Sequence, residues 1–374
     1  MNITEKRKIK ILLVVCNNVL NGTERYVVDL AGNLSKDIFE VTVATPMKGP
    51  LSDILGEKGI KEVIYNNDKL QSYSLKGLRN IGKILKNGNF DVLHGNSGIL
   101  PCVVGRLKGV PFVLEVKHGI FYSREQLDSL NFIRRRYEIV KQYFVHKFLA
   151  TSPNDKALII KYFHTPVDKI DVIYLGLDIP SLRSKIKNSN ITKNDEGDFI
   201  IGHIGRMTFQ KAQIILLKAF KIVNDRYPNT KLIIVGEGED KNDLLNFVRQ
   251  NGLENKIEFK GYIADIYNEM MKFDAHVLTS RFEGMGYVNL EAMELGIPVI
   301  TTDVGGASNF LTNEYNALIT PVEDPQSTAD AIEKLITNDK LRKDIIKNAA
   351  QTVKEYSIER MVKETSDFYI RNLN

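Results

Sequence analysis

Residues 281–294 read RFEGMGYVNLEAME, a turn with two glycines that leads directly into a helix. Gly284 and Gly286 let the backbone approach a ligand without a Cβ in the way, and the start of the helix offers unpaired N–H groups to an anion. Glu283 before the turn and Glu291 within the helix supply acceptors for hydroxyl groups on either side of that anion. A nucleotide sugar presents its groups in the same order: the hydroxyls of the sugar, the diphosphate and the hydroxyls of the ribose. Glutamates are also ordinary near a helix start, so the pair alone leaves a structural role open.

The length and composition describe a globular protein of two domains. The 374 residues exceed what one core usually carries and predict domains of fewer than about 200 residues each, with one cleft between them. Hydrophobic residues make up 43% and charged residues 26%. No apolar run approaches the roughly 20 residues that span a bilayer, so we expect neither disorder nor a membrane-spanning helix.

The first residues and the cysteines favour a cytoplasmic setting. Residues 6–8 are basic and residues 9–16 apolar, which superficially resembles a signal peptide. Because the apolar stretch is short and polar Asn17 and Asn18 follow it, a buried first strand is the better interpretation. Cys16 and Cys102 form neither a disulfide framework nor a metal-ligand spacing, so we expect a reduced compartment and no metal.

A basic helix is expected over residues 134–147. It is arranged around Phe132, Ile133, Tyr137 and Phe144, within a chain whose net charge is only +5. The favoured interpretation is a solvated basic face over a stripe of core residues; the alternative is a surface that touches anionic lipid headgroups, a peripheral membrane contact. The basic field is too sparse for nucleic acid, which is not an expected partner.

Short apolar runs alternate with helical patterns and predict doubly wound parallel sheets of the α/β class. The expected strands are 10–15, 40–44, 91–94, 111–116, 148–151 and 170–174 in the first half, and 199–204, 231–235, 257–259, 275–278, 298–301 and 317–319 in the second. Polar residues 180–197 are interpreted as a linker between Rossmann-like domains 1–179 and 198–355. Their strand ends should face a shared cleft. A helical tail is expected over 341–369, and its last part, 356–374, could cross back to the first domain.

Loops after the predicted strands carry further candidate ligands. Residues 205–211 place Arg206 and Lys211 in a loop that opens a helix, where the two cations could clamp a diphosphate. Gly22 is a single glycine just before the first predicted helix, and one glycine is only a weak indication of a phosphate-binding loop. Residues 235–240, VGEGED, lack the third glycine of a dinucleotide site and carry acidic residues, so a nicotinamide cofactor is not expected.

The ordered motifs resemble those of the GT-B glycosyltransferases of family 4, the glycosyl transferases of group 1. In the second half they are Gly205-Arg206 with Gln210-Lys211, LIIVGEG at 232–238, FEGMG at 282–286, EAM at 291–293, GIPVI at 296–300 and VGG at 304–306. The first half is looser but collinear, with the Gly22 loop, DVLH at 91–94, KHG at 117–119, ATS at 150–152 and VIYLGLD at 172–178. The resemblance spans nearly the whole chain.

The resemblance implies a retaining, metal-independent transferase that moves a sugar from a nucleoside diphosphate, with UDP the commonest choice, to an acceptor hydroxyl. Residues 198–355 would bind the donor and 1–179 the acceptor. In the implied roles, Arg206 and Lys211 bind the diphosphate, Glu283 binds the hydroxyls of the donor sugar, and Glu291 binds the ribose. The backbone of Gly22, Gly284, Met285 and Gly286 would contact the sugar and the phosphate. His118 would lie in the cleft near the transferred sugar. A donor phosphate oxygen would take the acceptor's proton. No separate cofactor is implied.

Four positions depart from the family's usual residues: Ala212, Leu175, Asn96 and Asn309. None removes an implied diphosphate or ribose contact, but they weaken any inference about the acceptor. The expected role is synthesis of a surface polysaccharide or glycolipid, in the cytoplasm or peripherally at the inner face of the membrane. A sugar-nucleotide epimerase, a phosphorylase and a non-catalytic sugar-nucleotide-binding protein are the alternatives.

Overall fold

The chain folds into two compact α/β units. The computed structural model describes residues 7–120, 122, 124–187, 197–263 and 265–373. The first unit contains residues 7–120, 124–176 and 358–373; the second contains 122, 177–187, 197–263 and 265–357. No helix among these residues is both long and apolar enough to span a membrane. The predicted α/β class is confirmed.

Each unit is built on one parallel sheet. The first sheet has the order β3-β2-β1-β4-β5-β6-β7 and the second the order β10-β9-β8-β11-β12-β13. The strands of the first are β1 (Ile9–Val14), β2 (Phe39–Thr45), β3 (Lys61–Ile64), β4 (Val92–Gly95), β5 (Phe112–Lys117), β6 (Lys147–Ala150) and β7 (Ile170–Val172). Those of the second are β8 (Phe199–Ile204), β9 (Thr230–Val235), β10 (Ile257–Gly261), β11 (Ala275–Leu278), β12 (Val299–Thr302) and β13 (Leu318–Thr320). All paired neighbours run parallel.

Helices connect successive strands and cover the sheets. They are α1 (Gly22–Asn33), α2 (Pro50–Glu57), α3 (Leu75–Gly88), α4 (Leu100–Leu107), α5 (Arg124–Asp128), α6 (Phe132–Lys141), α7 (Pro153–Phe163), α8 (Ile179–Lys187), α9 (Gln213–Arg226), α10 (Lys241–Gln250), α11 (Tyr267–Met270), α12 (Tyr287–Glu294), α13 (Pro325–Thr337), α14 (Asp339–Thr352) and α15 (Ile358–Leu373). Central strands such as β1 are apolar and buried because helices cover both faces of a parallel sheet.

The predicted linker needs correction. Residues 180–187 form most of α8, whose Leu182 is buried and whose first turn is capped by the Asp178 carboxylate, which accepts a hydrogen bond from the Ser181 N–H at 3.0 Å. This helix belongs to the second unit, which starts at Leu177. Residues 188–196 of the predicted linker lie outside the described residues.

The predicted helical tail is two helices rather than one. A short 3₁₀ turn at Val353–Tyr356 separates α14 from α15, and the Tyr356 carbonyl accepts a hydrogen bond from the Leu177 N–H at 2.8 Å. Helix α15 packs within the first unit, where Tyr369 is fully buried. Its hydroxyl lies 2.5 Å from His94 Nδ1, and its ring contacts Phe39 edge to face at 6.0 Å.

The favoured interpretation of the basic helix is wrong in one respect. Phe132, Ile133 and Tyr137 of α6 do not form a core stripe: all three are exposed. The buried residue of this helix is instead Glu138. The predicted helix over 134–147 is also too long, since α6 ends at Lys141, Phe144 lies in a 3₁₀ turn and Lys147 begins β6. The face of α6 that turns inward is the opposite of the one expected.

Candidate functional site

The second sheet has its topological switch point between β8 and β11. Chain order runs outward from β8 in one direction through β9 and β10, and in the other from β11 through β12 and β13. In open α/β sheets, ligands bind outside the carboxyl ends of the strands at such a point. The loops that follow these two strands, residues 205–212 and 279–286, contain Arg206, Lys211 and Glu283.

The two loops are joined by backbone and side-chain hydrogen bonds. The Arg281 N–H donates to the Gln210 carbonyl at 2.8 Å, and the Gln210 amide donates to the Phe282 carbonyl at 3.0 Å. The Arg281 guanidinium also lies 3.9 Å from the centre of the Phe209 ring. The spacing between Lys211 and Glu283 is therefore fixed by contacts on either side of them.

Lys211 and Glu283 form a direct ion pair. Lys211 Nζ contacts Glu283 Oε1, which also accepts a hydrogen bond from the Ser280 hydroxyl at 2.7 Å. Their side chains are 15% and 8% exposed. The sequence predicted both residues in loops rather than in the core. The pair does lie in loops but is largely withdrawn from solvent, so each charge depends on the other or on a ligand for compensation.

Arg206 lies at the surface of the first loop. Within the described part of the chain its guanidinium has no hydrogen-bond or ion-pair partner, whereas its carbonyl accepts from the Gln213 amide at 2.8 Å. The same amide nitrogen lies 3.0 Å from His203 Nε2, and His203 Nδ1 bonds to the Val277 carbonyl at 2.8 Å. Burial lowers the pKa of His203 to about 4, so this histidine is a neutral support for the loop.

Close backbone contacts hold the glutamate turn in place. Gly305 has a left-handed φ of +59°, and a Cβ there would overlap the Glu283 carbonyl oxygen. The Gly306 N–H donates to the Gly284 carbonyl at 3.0 Å, while the Met285 side chain is buried. Gly286, with a left-handed φ of +73°, is the N-cap residue immediately before α12. A side chain at Gly305 or Gly306 would push the turn at 283–285 out of place. The glycines of the VGG sequence at 304–306 therefore have a packing role that the sequence did not predict.

Glu291 occupies the middle of α12 and is almost fully buried. Its Oε1 accepts a hydrogen bond from the Tyr267 hydroxyl at 2.8 Å, and Tyr267 is the first residue of α11. Helix α11 follows β10, at the edge of the sheet beyond β9. Tyr267 is thus a further residue that positions a candidate ligand group, and the sequence offered no motif to indicate it.

The VGEG sequence after β9 supports the first loop. A Cβ at Gly236 would overlap the Gly205 carbonyl, and a Cβ at Gly238 would overlap the Met207 carbonyl. The Met207 N–H donates to the Glu237 carbonyl at 3.0 Å. These glycines are therefore explained by the close approach of the loop that carries Arg206 rather than by a dinucleotide site.

The remaining predicted residues lie in the first unit. Gly22 is the first residue of α1, and a Cβ there would meet no atom within 4 Å. His118 follows β5, and its Nε2 lies 3.1 Å from Asn96 Oδ1. Its ring meets the Tyr26 ring edge to face at 4.9 Å, and burial lowers the pKa of His118 to about 3. His118 is neutral at physiological pH, and its role toward the sugar stays a prediction.

A metal cluster is not found in the described residues: no three His, Cys, Asp or Glu side chains are grouped so that they could hold an ion.

Ala212, where the family usually has glycine, adopts a left-handed φ of +49° just before α9. That conformation explains why glycine is favoured there.

Comparisons with known proteins agree with the fold and identify the family. The family model "Glycosyl transferases group 1" matches residues 184–352, and "Glycosyltransferase Family 4" matches residues 20–180. The UDP-Gal:alpha-D-GlcNAc-diphosphoundecaprenol alpha-1,3-galactosyltransferase of Escherichia coli is 27% identical over 97% of both chains. An uncharacterized glycosyltransferase of Methanocaldococcus jannaschii, MJ1178, is 30% identical over 75% of this chain and 76% of its own.

Among solved structures, Anabaena HepE in complex with UDP and glucose superposes with a TM-score of 0.81 and 23% identity. The match covers 96% of this chain and 99% of the other, and it supports the fold alone. The two family matches lie over the two units, and the archaeal relative is similar over most of its length. The chain belongs to the glycosyltransferases of group 1 and has the GT-B fold.

Proposed function

We propose that this protein is a retaining, metal-independent glycosyltransferase that moves a sugar from a UDP-sugar to a hydroxyl of a glycan or lipid-linked acceptor. The observation that carries the proposal is the Lys211–Glu283 pair at the switch point, on loops that also carry the exposed side chain of Arg206. It places a buried carboxylate and two cations on loops that hydrogen bonds hold together. Sugar hydroxyls and a diphosphate are the groups that such a set recognises.

The ion pair suggests how the donor is accepted without leaving a charge unpaired. In the structure Lys211 compensates Glu283. A bound donor would place its diphosphate against Lys211 and Arg206, while a hydroxyl of its sugar donates to Glu283. Each buried charge then exchanges one partner for another. The same cations stabilise the charge that grows on the leaving diphosphate as the glycosidic bond breaks.

Glu291 is proposed to hold the ribose hydroxyls. Its Oε1 is already bound by the Tyr267 hydroxyl, so the carboxylate has a fixed orientation. Backbone groups of Gly284, Met285 and Gly286, just before α12, would contact sugar and phosphate, and Gly22 would contact phosphate from the first unit. His118, neutral through burial, would contact the transferred sugar. A phosphate oxygen of the donor, rather than a protein carboxylate, is proposed to take the acceptor's proton.

The relatives support uridine and a surface glycan. The E. coli relative is named for UDP-Gal and a diphosphoundecaprenol acceptor, and a Staphylococcus aureus relative, 33% identical over 59% of this chain and 60% of its own, for capsular polysaccharide biosynthesis. We therefore propose a role in the synthesis of a surface polysaccharide or glycolipid. Two buried free cysteines are consistent with a cytoplasmic site of action.

Binding of the donor is tested with nucleotides before any acceptor is known. Thermal unfolding of the wild type would be compared in the presence of UDP, GDP, ADP and a panel of UDP-sugars. A ligand at 100 times its Kd should stabilise the protein by about 2.7 kcal/mol. We expect UDP and one UDP-sugar to stabilise it, and Lys211→Met to lose the effect. Stabilisation by GDP alone would contradict the choice of base, and no response to any nucleotide would contradict the function.

Transfer itself is tested with the stabilising UDP-sugar and lipid diphosphate acceptors. We expect transfer to continue in the presence of a chelator, because Arg206 and Lys211 supply the positive charge. Proton NMR of the product should show the anomeric configuration of the donor. An inverted product would contradict retention, and loss of activity with a chelator that added Mg²⁺ restores would contradict metal independence.

A further inference from the structure

Helix α6 in the first unit turns apolar side chains outward and a charged side chain inward, the reverse of an ordinary surface helix. Five of the sixteen large apolar side chains that are exposed in the described part of the chain lie within residues 132–143. They are Phe132 (71% exposed), Ile133 (77%), Tyr137 (44%), Val140 (50%) and Tyr143 (74%). Isolated exposed apolar residues are normal, but a cluster of this density on one short segment marks an interaction surface.

The opposite side of α6 carries the charge that a helix usually turns to solvent. Glu138 is buried, with its carboxylate 2.8 Å from Lys141 Nζ and 3.7 Å from Arg134 Nε. On the neighbouring strand β5, the buried Glu115 pairs with Lys117 at 2.6 Å. Because a buried carboxylate needs partners of opposite charge, these pairs fix the side of α6 that faces the protein. The apolar side is held outward.

Cations surround the apolar face. The Arg136 guanidinium lies 5.1 Å from the centre of the Phe132 ring, and the Arg134 guanidinium lies 5.5 Å from that of Tyr137. Arg136 is exposed. Aromatic rings and arginines at one surface suit a lipid interface, where the rings lie at headgroup depth and the guanidinium groups meet phosphates.

We propose that the exposed face of α6 and the turn after it, formed by Phe132, Ile133, Arg136, Tyr137, Val140 and Tyr143, docks on a membrane surface rich in anionic phospholipid. The apolar side chains enter the headgroup region, and Arg136 and its basic neighbours bind lipid phosphates. The inference concerns where the protein is held and does not depend on which sugar it transfers. It agrees with the alternative interpretation of the sequence and reverses the favoured one, in which Phe132, Ile133 and Tyr137 belonged to the core.

Charge decides between a bilayer and other occupants. The only carboxylate within residues 132–143 is Glu138, which faces inward, so the outward face is purely basic and apolar. A second copy of this surface would place arginines against arginines, which opposes self-association. An anionic bilayer satisfies the apolar and the basic groups together.

The test is co-sedimentation of the whole protein with phospholipid vesicles. Vesicles of phosphatidylcholine alone are compared with vesicles of equal parts phosphatidylcholine and phosphatidylglycerol. We expect binding to the anionic vesicles, weakened at about 1 M salt, where charges are screened beyond about 3 Å. Phe132→Ser/Ile133→Ser should weaken binding by at least about tenfold. Arg136→Glu, which changes two charge units, should weaken it about thirtyfold.

Matched controls lie on α3 of the same unit. Leu75→Ser replaces a side chain that is 87% exposed, and Lys83→Glu reverses an exposed charge; neither should alter binding by more than about twofold. Each variant is checked by circular dichroism and unfolding temperature, and Tyr143→Ser replaces the double variant should the latter fail to fold. Absence of wild-type binding, or equal loss in the Leu75→Ser control, would overturn the proposal. A dimer in sedimentation velocity that Phe132→Ser/Ile133→Ser dissociates would assign the face to a second copy instead.

Discussion

Replacing the charges of Lys211 and Glu283 should separate stability from catalysis. Glu283→Gln keeps the shape of the side chain but leaves the Lys211 ammonium, 15% exposed, without its carboxylate. Breaking a fully buried pair costs about 3–5 kcal/mol and breaking an exposed one about 0–1 kcal/mol, so for this mostly buried pair we expect about 2 kcal/mol. Lys211→Met leaves the Glu283 carboxylate with the Ser280 hydroxyl and should cost about the same. The double variant buries no unpaired charge and should regain most of the loss.

Catalysis should not recover in the double variant. A hydrogen bond to a charged group is worth about 1.5–3 kcal/mol, so loss of the Glu283 carboxylate should lower kcat/KM by about tenfold to 150-fold. Lys211 acts on charge that develops in the transition state, and its loss should lower kcat by about 100-fold to 1000-fold. The double variant should be stable and as inactive as Lys211→Met.

The assay is a double-mutant cycle read out twice. Denaturation midpoints are followed by fluorescence and by circular dichroism, because a protein of two units need not unfold in one step. UDP release from the donor is measured in parallel. The control pair is Arg226–Glu333 on the second unit, 2.7 Å apart with side chains 52% and 18% exposed. The coupling energy between Arg226 and Glu333 should be less than about 1 kcal/mol, and substitution of either residue should leave transfer unchanged. Coupling at Lys211–Glu283 no larger than in the control, or a double variant that regains activity, would refute the reasoning.

Three further changes have defined outcomes. Gly305→Ala should destabilise the second unit by about 2–4 kcal/mol and weaken UDP binding, because its Cβ would displace the Glu283 carbonyl. Tyr267→Phe should raise KM for the donor about fivefold to tenfold with little change in kcat, since it removes the hydroxyl that orients Glu291. Burial lowers the pKa of His276 from 6.5 to about 3, so its contribution to stability is complete above about pH 6.5 and is lost as the pH falls toward 3, by about 1.4 kcal/mol per pH unit.

Each of these has a control. Gly59 also has a left-handed φ, +64°, but open space around its Cβ position, so Gly59→Ala measures backbone strain without the overlap. Equal effects at both glycines would contradict the packing argument. For Tyr267→Phe, a fall in kcat at constant KM would contradict a role in ribose binding. Because burial also lowers the pKa of His118 and of His203, His276→Leu should lower the slope of the acid limb by about 1.4 kcal/mol per pH unit rather than abolish it. An unchanged slope would show that other groups cause it.

The sequence predicted the fold well because buried parallel strands are apolar on both faces. Strands β8 and β11 were predicted with the boundaries that the structure has. The edge strand β3 was missed because Lys61 and Glu62 make half of its four residues charged. Helix α6 was misread because a helical period shows that one face is apolar, but not which face the rest of the protein covers.

The site was predicted in part. Loop position after a strand identified Lys211 and Glu283 as candidates, but 72 residues separate them, and only the adjacency of β8 and β11 brings them into contact. Their burial and the backbone approach of Gly305 are tertiary features with no local signal. Tyr267 is likewise joined to Glu291 by a hydrogen bond between two different helices, which no local sequence signal indicates. The roles of Gly22 and His118 stay predictions.

A crystal structure of the protein with UDP bound tests the central claim most directly. The account predicts the diphosphate within hydrogen-bond distance of the Arg206 guanidinium and Lys211 Nζ, with the ribose hydroxyls on the Glu291 carboxylate and the Lys211–Glu283 contact lengthened. UDP bound away from the carboxyl ends of β8 and β11, or a diphosphate that touches neither cation, would contradict it.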